Sequence, residues 1–232
     1  MTETDGYFLL ALMLVPLGTA LLLMLVPSRE RAVIVGITAV SSLAMLVISL
    51  YVFAIYSWED GSQFQGVLAF PWMENVGLLG PNGIQLKVGI DGITASLVLL
   101  TGIVIVPGTW VSWKIQYRLK DFFILLYILT AGVFGVFVLL DLFFWFLAYE
   151  VALLPMYQLI VVWGSTRKEY GGMKLMMMLM AGSIFIFTAI FALYGEVGAG
   201  TFDMEVLLDS EKGRTFQLIF FPLVAIGCGV LG

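Results

Sequence analysis

One carboxylate in this sequence stands where a carboxylate is hardest to keep. Glu150 lies inside the apolar run 142–163, nine residues after Asp141, with Pro155, Tyr157 and Gln158 following it. Nine helical residues advance about 13.5 Å, so Glu150 falls deep in the outer half of a membrane-length segment. A charge at that depth is unfavourable by about 2.5–3.5 kcal/mol on insertion scales, and its default reading is functional. The chemistry open to such a carboxyl is proton uptake and release, because an approaching cation favours the ionised form and its withdrawal the neutral one. Tyr157 shares the face of Glu150 to within about 20° on a helix. Pro155 donates no hydrogen bond to the carbonyl of Val151, which leaves an acceptor for water beside the carboxyl. The structural alternative is a neutral Glu that hydrogen-bonds a neighbouring helix and serves as packing glue.

Other polar residues have a bland reading beside the functional one. Lys174, near the inward end of a later apolar run, is either a proton-transfer cation or a side chain snorkelling to the interface. Asp91, at the head of the run 90–113, is either a helix cap or a relay member. Met176, Met177, Met178 and Met180 suit adaptable packing better than a metal site. The aromatic run Phe143 to Phe146 suits lipid or interhelical contact.

Composition excludes much else. The 232 residues are 61% hydrophobic and 12% charged, with a mean hydropathy of +1.06. Soluble domains run about 45–50% apolar and about 25% charged, so the fold class is an all-α polytopic membrane protein. Barrel strands alternate over about 10 residues, whereas these runs stay apolar for membrane-spanning lengths. With one cysteine, Cys228, and no histidine, a His-ligated haem, a cysteine-held iron–sulfur cluster, the usual zinc sites and a Ser-His-Asp group are all excluded within this chain. Eleven basic residues spread over loops form no nucleic-acid-binding face.

The carboxylate is positioned by a series of apolar runs, read as helices over about 7–26, 32–56, 90–113, 122–140, 142–163, 172–194 and 215–232. Acidic Glu3 and Asp5 before the first run argue against a signal peptide. Residues 57–90 are the longest polar interval, with turn signals such as Pro81-Asn82-Gly83 and an alternating stretch, 83–89, that suits a short strand or hairpin at the surface. Pro107 is expected to kink the third helix. Asp141 alone separates the fourth and fifth helices, which makes them antiparallel neighbours. The seventh run stops at Gly232, so the sequence reads as one membrane domain, 1–232, that ends inside a helix.

Counting Lys and Arg by alternate loops orients the chain. One side carries Arg29, Arg31, Lys114, Arg118, Lys120, Arg167, Lys168 and Lys174, and the other Lys87, Lys212 and Arg214. Basic residues mark the cytoplasmic side, so the amino terminus and the acidic loop 195–214 face outward.

Three stretches resemble one family. The segment Trp145 to Gly164, with Tyr149-Glu150, Leu154-Pro155-Met156-Tyr157 and Trp163-Gly164, is similar to helix 5 of the antiporter-like membrane subunits of complex I, closest to the M type (D in chloroplasts and cyanobacteria). Gly89-Ile90-Asp91-Gly92-Ile93 and Tyr170-Gly171-Gly172-Met173-Lys174 resemble that family's helix 3 and helix 6 motifs. The resemblance implies the first half of a fold of about fourteen helices with inverted repeats. It also implies a proton-translocating subunit of an NAD(P)H– or ferredoxin–quinone oxidoreductase, in the bacterial plasma membrane or an equivalent energy-transducing membrane. Glu150 would be the buried glutamate of the first half-channel and Lys174 the helix 6 lysine. No cofactor would be bound by this chain; NAD(P)H or ferredoxin, flavin, iron–sulfur clusters and quinone would belong to partner subunits of a large hetero-oligomer. Two departures stand out: Tyr149 replaces the family's Trp, and an ungapped reading puts Leu231 where the family has a lysine in helix 7. A cation/proton antiporter subunit, a membrane-bound hydrogenase subunit and a non-conducting scaffold are the competing readings.

Overall fold

The computed structural model describes residues 3–58, 64–73, 83–198, 200–209 and 213–231. Six of its helices are long and apolar enough to cross a membrane. They are α1 (Glu3–Leu25), α2 (Arg31–Ile55), α3 (Gly92–Ser112), α4 (Leu119–Val138), α5 (Leu142–Trp163) and α6 (Lys168–Val197). A short helix α7 (Met204–Asp209) interrupts the acidic loop, and the last apolar run forms α8 (Arg214–Leu231). Two strands, β1 (Gln65–Met73) and β2 (Ile84–Ile90), lie between α2 and α3. The turn residues Pro81 and Asn82, and Lys212, lie outside the described residues.

The helices pack as a layer in which α4 lies against both α1 and α5, α2 against α1 and α3, and α6 against α5 and α8. Small residues set the closest approach, as expected where lipid supplies no hydrophobic drive between helices. A Cβ on Gly132 would lie 2.8 Å from the Cβ of Ala152, and one on Gly135 2.8 Å from the Cβ of Ala148. The α4–α5 contact therefore runs through Gly132, Gly135, Ala148 and Ala152. A polar seam joins α1, α2 and α4 inside the bundle. Thr19 Oγ1 and Ser41 Oγ share a hydrogen bond of 2.6 Å, and the fully buried Tyr127 donates its hydroxyl to the Thr38 carbonyl at 2.6 Å. Such bonds fix the rotation of each helix about its own axis, since a polar group in hydrocarbon has no water to turn to.

Pro107 sits inside α3 and Pro155 inside α5, and both helices run continuously through them. β2 departs from the surface strand expected for 83–89. It is mostly buried, with Val88 and Ile90 fully covered, because β1 pairs with it antiparallel and Val88 forms a bridge to Leu139. The residues between α4 and α5 are also more than a tight connection. Leu140 N donates to the Lys87 carbonyl at 2.8 Å, Met204 N to the Leu140 carbonyl at 2.9 Å, and Leu142 N to the Phe202 carbonyl at 2.9 Å. Extended backbone from three distant segments thus forms one layer over the outer ends of α1, α4 and α5. Gly6 permits it, since a Cβ there would lie 2.8 Å from the Gly66 carbonyl oxygen.

Candidate proton-transfer site

Helix α5 begins on a firm anchor. The Asp141 side chain accepts from Phe143 N at 2.9 Å and Phe144 N at 3.2 Å, satisfying first-turn donors that have no helical partner. Its second oxygen accepts from Gln85 N of β2 at 3.1 Å. Burial raises the Asp141 carboxyl above its usual 3.8, and these backbone donors oppose the rise.

From that anchor the helix geometry aims Glu150. Ala148 and Ala152 face α4, and Glu150 is two residues from each, so it projects about 200° away from the α4 contact. One turn earlier, Phe146 meets Phe187 of α6 with ring centroids 5.4 Å apart. Seven residues on, Tyr157 borders Gly172 of α6, where a Cβ would lie 3.5 Å from its ring. Glu150 therefore faces α6, at the level of Gly182 and Ser183. It is half-buried, and its Oε1 is fully covered without a hydrogen-bond partner among the described residues. An orphaned buried oxygen is rare enough in folded proteins to need an explanation.

The neighbouring residues take distinct places. Trp145 and Tyr149 stack with centroids 6.3 Å apart. Tyr149 borders a cavity of about 260 Å³ between α4, α5 and α6 whose other lining residues are apolar. Pro155 is buried within α5, and Tyr157 is half-buried against α6. Lys174 is not brought to Glu150. Gly172 meets α5 so closely that a Cβ would lie 2.5 Å from Val161 Cγ2. Two residues further on, Lys174 lies about 200° around α6 and is exposed. Asp91 is also remote from Glu150. It heads α3 in a capping box, accepting from Thr94 N at 2.7 Å while its own N–H donates to Thr94 Oγ1 at 3.0 Å.

Helix α8 packs along α6, and its Phe220 and Val224 line a cavity with Leu142 and Trp145 of α5. A Cβ on Gly227 would lie 2.8 Å from Ile186 Cγ1 and 3.3 Å from the Gly182 carbonyl oxygen. Leu231 closes α8 one turn later, and its side chain is not among those described.

Sequence reasoning passed over a second charged group. Lys87 Nζ donates to Asp203 Oδ2 at 2.7 Å and also pairs with Glu205. Burial pulls the Lys87 ammonium down, but the hydrogen bonds and charges of the two acids outweigh it and hold it above the usual 10.5. The available signal was a lone cation in the 57–90 interval facing an acidic loop on the same side. Among the described residues, no three His, Cys, Asp or Glu side chains converge to hold a metal.

Residues 140–231 match the family described as NADH:quinone oxidoreductase/Mrp antiporter, transmembrane. The chain is 33% identical over 236 residues to NAD(P)H-quinone oxidoreductase chain 4 2 of Trichodesmium erythraeum, covering 99% of this chain and 40% of that protein. It thus spans about two fifths of the length of this curated relative. In fold it superposes on a chain of respiratory complex I from Thermus thermophilus with a TM-score of 0.78 and 20% identity, covering 95% of this chain and 43% of the other. A chain of the Mrp complex from Dietzia sp. DQ12-45-1b gives a TM-score of 0.72 and 18% identity, covering 96% of this chain and 23% of the other. With six membrane-length helices, the carboxylate-bearing α5 inside the matched segment, and sequence similarity along nearly the whole chain, this multi-pass membrane protein resembles the antiporter-like membrane subunits of complex I in sequence and fold.

Proposed function

We propose that this chain carries the first proton half-channel of a membrane subunit in an NAD(P)H– or ferredoxin–quinone oxidoreductase, with Glu150 as the group that takes up and releases the proton. The observation that carries the reading is the Oε1 of Glu150 on the α6-facing side of α5, covered and without a hydrogen-bond partner among the described residues. A carboxyl held only as packing glue would have its oxygens in hydrogen bonds. One that exchanges a proton with a transient partner has a reason to stand unpaired in one state. Because α8 reaches the level of Glu150 at Gly227, a cation on the next turn or beyond would sit at the depth where it could bias the carboxyl. Lys174 then serves at the inward end of α6, and Tyr157 lines the Glu150 face beside Gly172. Pro155 leaves the Val151 carbonyl available to water.

No redox group enters this scheme through the present chain. Flavin, iron–sulfur clusters, quinone and the NAD(P)H or ferredoxin donor belong, in this reading, to partner subunits of a large complex in an energy-transducing membrane. The work required is about 2.3 kcal/mol per proton against 100 mV, within reach of a charge partner that moves by a few ångströms in a low-dielectric site. The test is Glu150→Gln in the complete subunit within its complex. Proton translocation should be lost while assembly and the quinone reductase reaction in uncoupled membranes persist; full translocation would overturn the role.

The Mrp likeness supports a second reading, a subunit of a cation/proton antiporter built on the same fold. Transport that depends on sodium, and co-purification with antiporter subunits in place of redox subunits, would favour it.

A further inference from the structure

The inward end of the bundle holds a cleft lined by none of Glu150, Tyr157, Pro155, Lys174 or Asp91. Its floor is the start of α4 at Lys120, Asp121, Ile124 and Leu125, with Met24 of α1 on one side and Val162 and Trp163 of α5 on the other. The cavity measures about 540 Å³. Its mouth is cationic. Arg118 pairs with Asp121 through Nε at 2.7 Å, using one of the five donors of a guanidinium. Lys120 donates to the Met24 carbonyl at 2.9 Å, a neutral partner, and makes no ion pair among the described residues. Arg118 holds a left-handed backbone with φ 50°, unfavourable for a residue with a side chain and a conformation that collects at ligand sites. Deeper in, Ile124, Leu125 and Val162 are apolar, with Gln158 as a polar residue beside them. The indole of Trp163 is tied to the Tyr117 carbonyl at 2.9 Å, at the edge of the membrane span. Across the three inward loops, eight basic residues face only Glu30, Asp121 and Glu169.

We propose that this cleft binds one anionic phospholipid of the inner leaflet, its phosphate between Lys120 and Arg118 and an acyl chain along Ile124, Leu125 and Val162. A lipid supplies, in one molecule, the negative headgroup and the hydrocarbon that the two halves of the cleft ask for. The inner leaflet is the one that carries anionic lipid, and basic pockets between helices on that side suit such headgroups. The site is independent of the proton-transfer reading.

The test uses the complete subunit in its complex, with photoactivatable phosphatidylglycerol and phosphatidylcholine of equal chain length. Peptide mapping should place the phosphatidylglycerol cross-link in 119–125 and 158–163, with the zwitterionic lipid at least about fivefold weaker. Lys120→Gln and Arg118→Gln should each lower the yield about fivefold, the effect of one basic residue at an anionic surface. Lys120→Arg should retain it, and Lys114→Gln, on the same side but outside the cleft, should leave it unchanged. Equal labelling by both lipids would overturn the proposal, as would an equal loss in Lys114→Gln. Labelling of a partner subunit in place of the cleft would assign it to a protein contact. Displacement of the lipid by millimolar inorganic phosphate would reduce it to a free-anion site.

Discussion

Lys87 and Asp203 stand 116 residues apart in sequence and meet at 2.7 Å on the outer face, Glu205 completing the group. The pair ties β2 to the loop that carries α7, while the backbone between them runs through Leu140. Lys87 and Asp203 are mostly covered and Glu205 is partly open. Breaking a fully buried pair costs about 3–5 kcal/mol; with one acid partly solvated, Lys87→Met should cost about 2 kcal/mol. Hydrogen exchange over 200–209 should accelerate in the variant while α2 and α3 stay protected. Since the folded state raises the Lys87 pKa, its stabilisation is present below 10.5 and is lost as the pH rises through the raised value. The loop should therefore loosen in alkali in the wild type and not in Lys87→Met.

Asp141 predicts a pH effect of the same form at the acidic end. Burial raises its folded pKa above 3.8, so the folded state holds a proton where the unfolded chain has lost it. Its contribution is full below 3.8 and falls as the pH climbs through the raised value. Asn is as good an N-cap as Asp and carries no charge. The stability of the wild type relative to Asp141→Asn should decline as pH rises above about 3.8, measured by thermal unfolding in detergent. A difference independent of pH would sink this account. Asp141→Ala removes the cap and leaves Gln85 N without its acceptor, so it should lose about 2–4 kcal/mol, with the larger loss at the acidic end.

Gly172 is the contact that lets α6 lie beside Tyr157. Its replacement by Ala would put a Cβ 2.5 Å from Val161 Cγ2, an overpacking that costs about 1–3 kcal/mol. Val161→Ala should recover most of the loss in the double variant. By contrast, Gly18→Ala meets nothing within 4 Å and should be neutral or slightly stabilising. Midpoints of unfolding for the four variants decide the matter.

Tyr127→Phe removes the 2.6 Å bond to the Thr38 carbonyl without changing the ring packing. Polar bonds between membrane helices average about 0.6 kcal/mol and reach about 1.7. This one is fully buried and should fall near the upper figure. A loss below about 0.3 kcal/mol by unfolding in bicelles would show that the Thr38 carbonyl finds another donor.

The amino-acid sequence alone determined what depends on local order. Runs of apolar residues long enough to span lipid specify α1 to α6, because a membrane leaves each helix to satisfy its own backbone. The depth of Glu150 follows from counting residues from Asp141. The Asp91-x-x-Thr94 spacing suffices for the cap on α3, since both partners lie within one turn. The tertiary structure decided whatever depends on which surfaces meet. β1 became a strand only because β2 and the 139–141 segment give its neighbours a layer to join, so its Pro71 and Trp72 read as turn and interface residues when taken singly. Lys87 found its acids across 116 residues, a pairing no periodicity encodes. Lys174 and Glu150 each lie in a stretch that resembles a family motif, but Gly172 turns the α6 face beside it toward α5 and leaves Lys174 exposed. For Glu150 itself, its depth was set by the order of residues. Its direction was set by Gly132, Gly135, Ala148 and Ala152, which pull α5 onto α4 and turn the carboxyl toward α6.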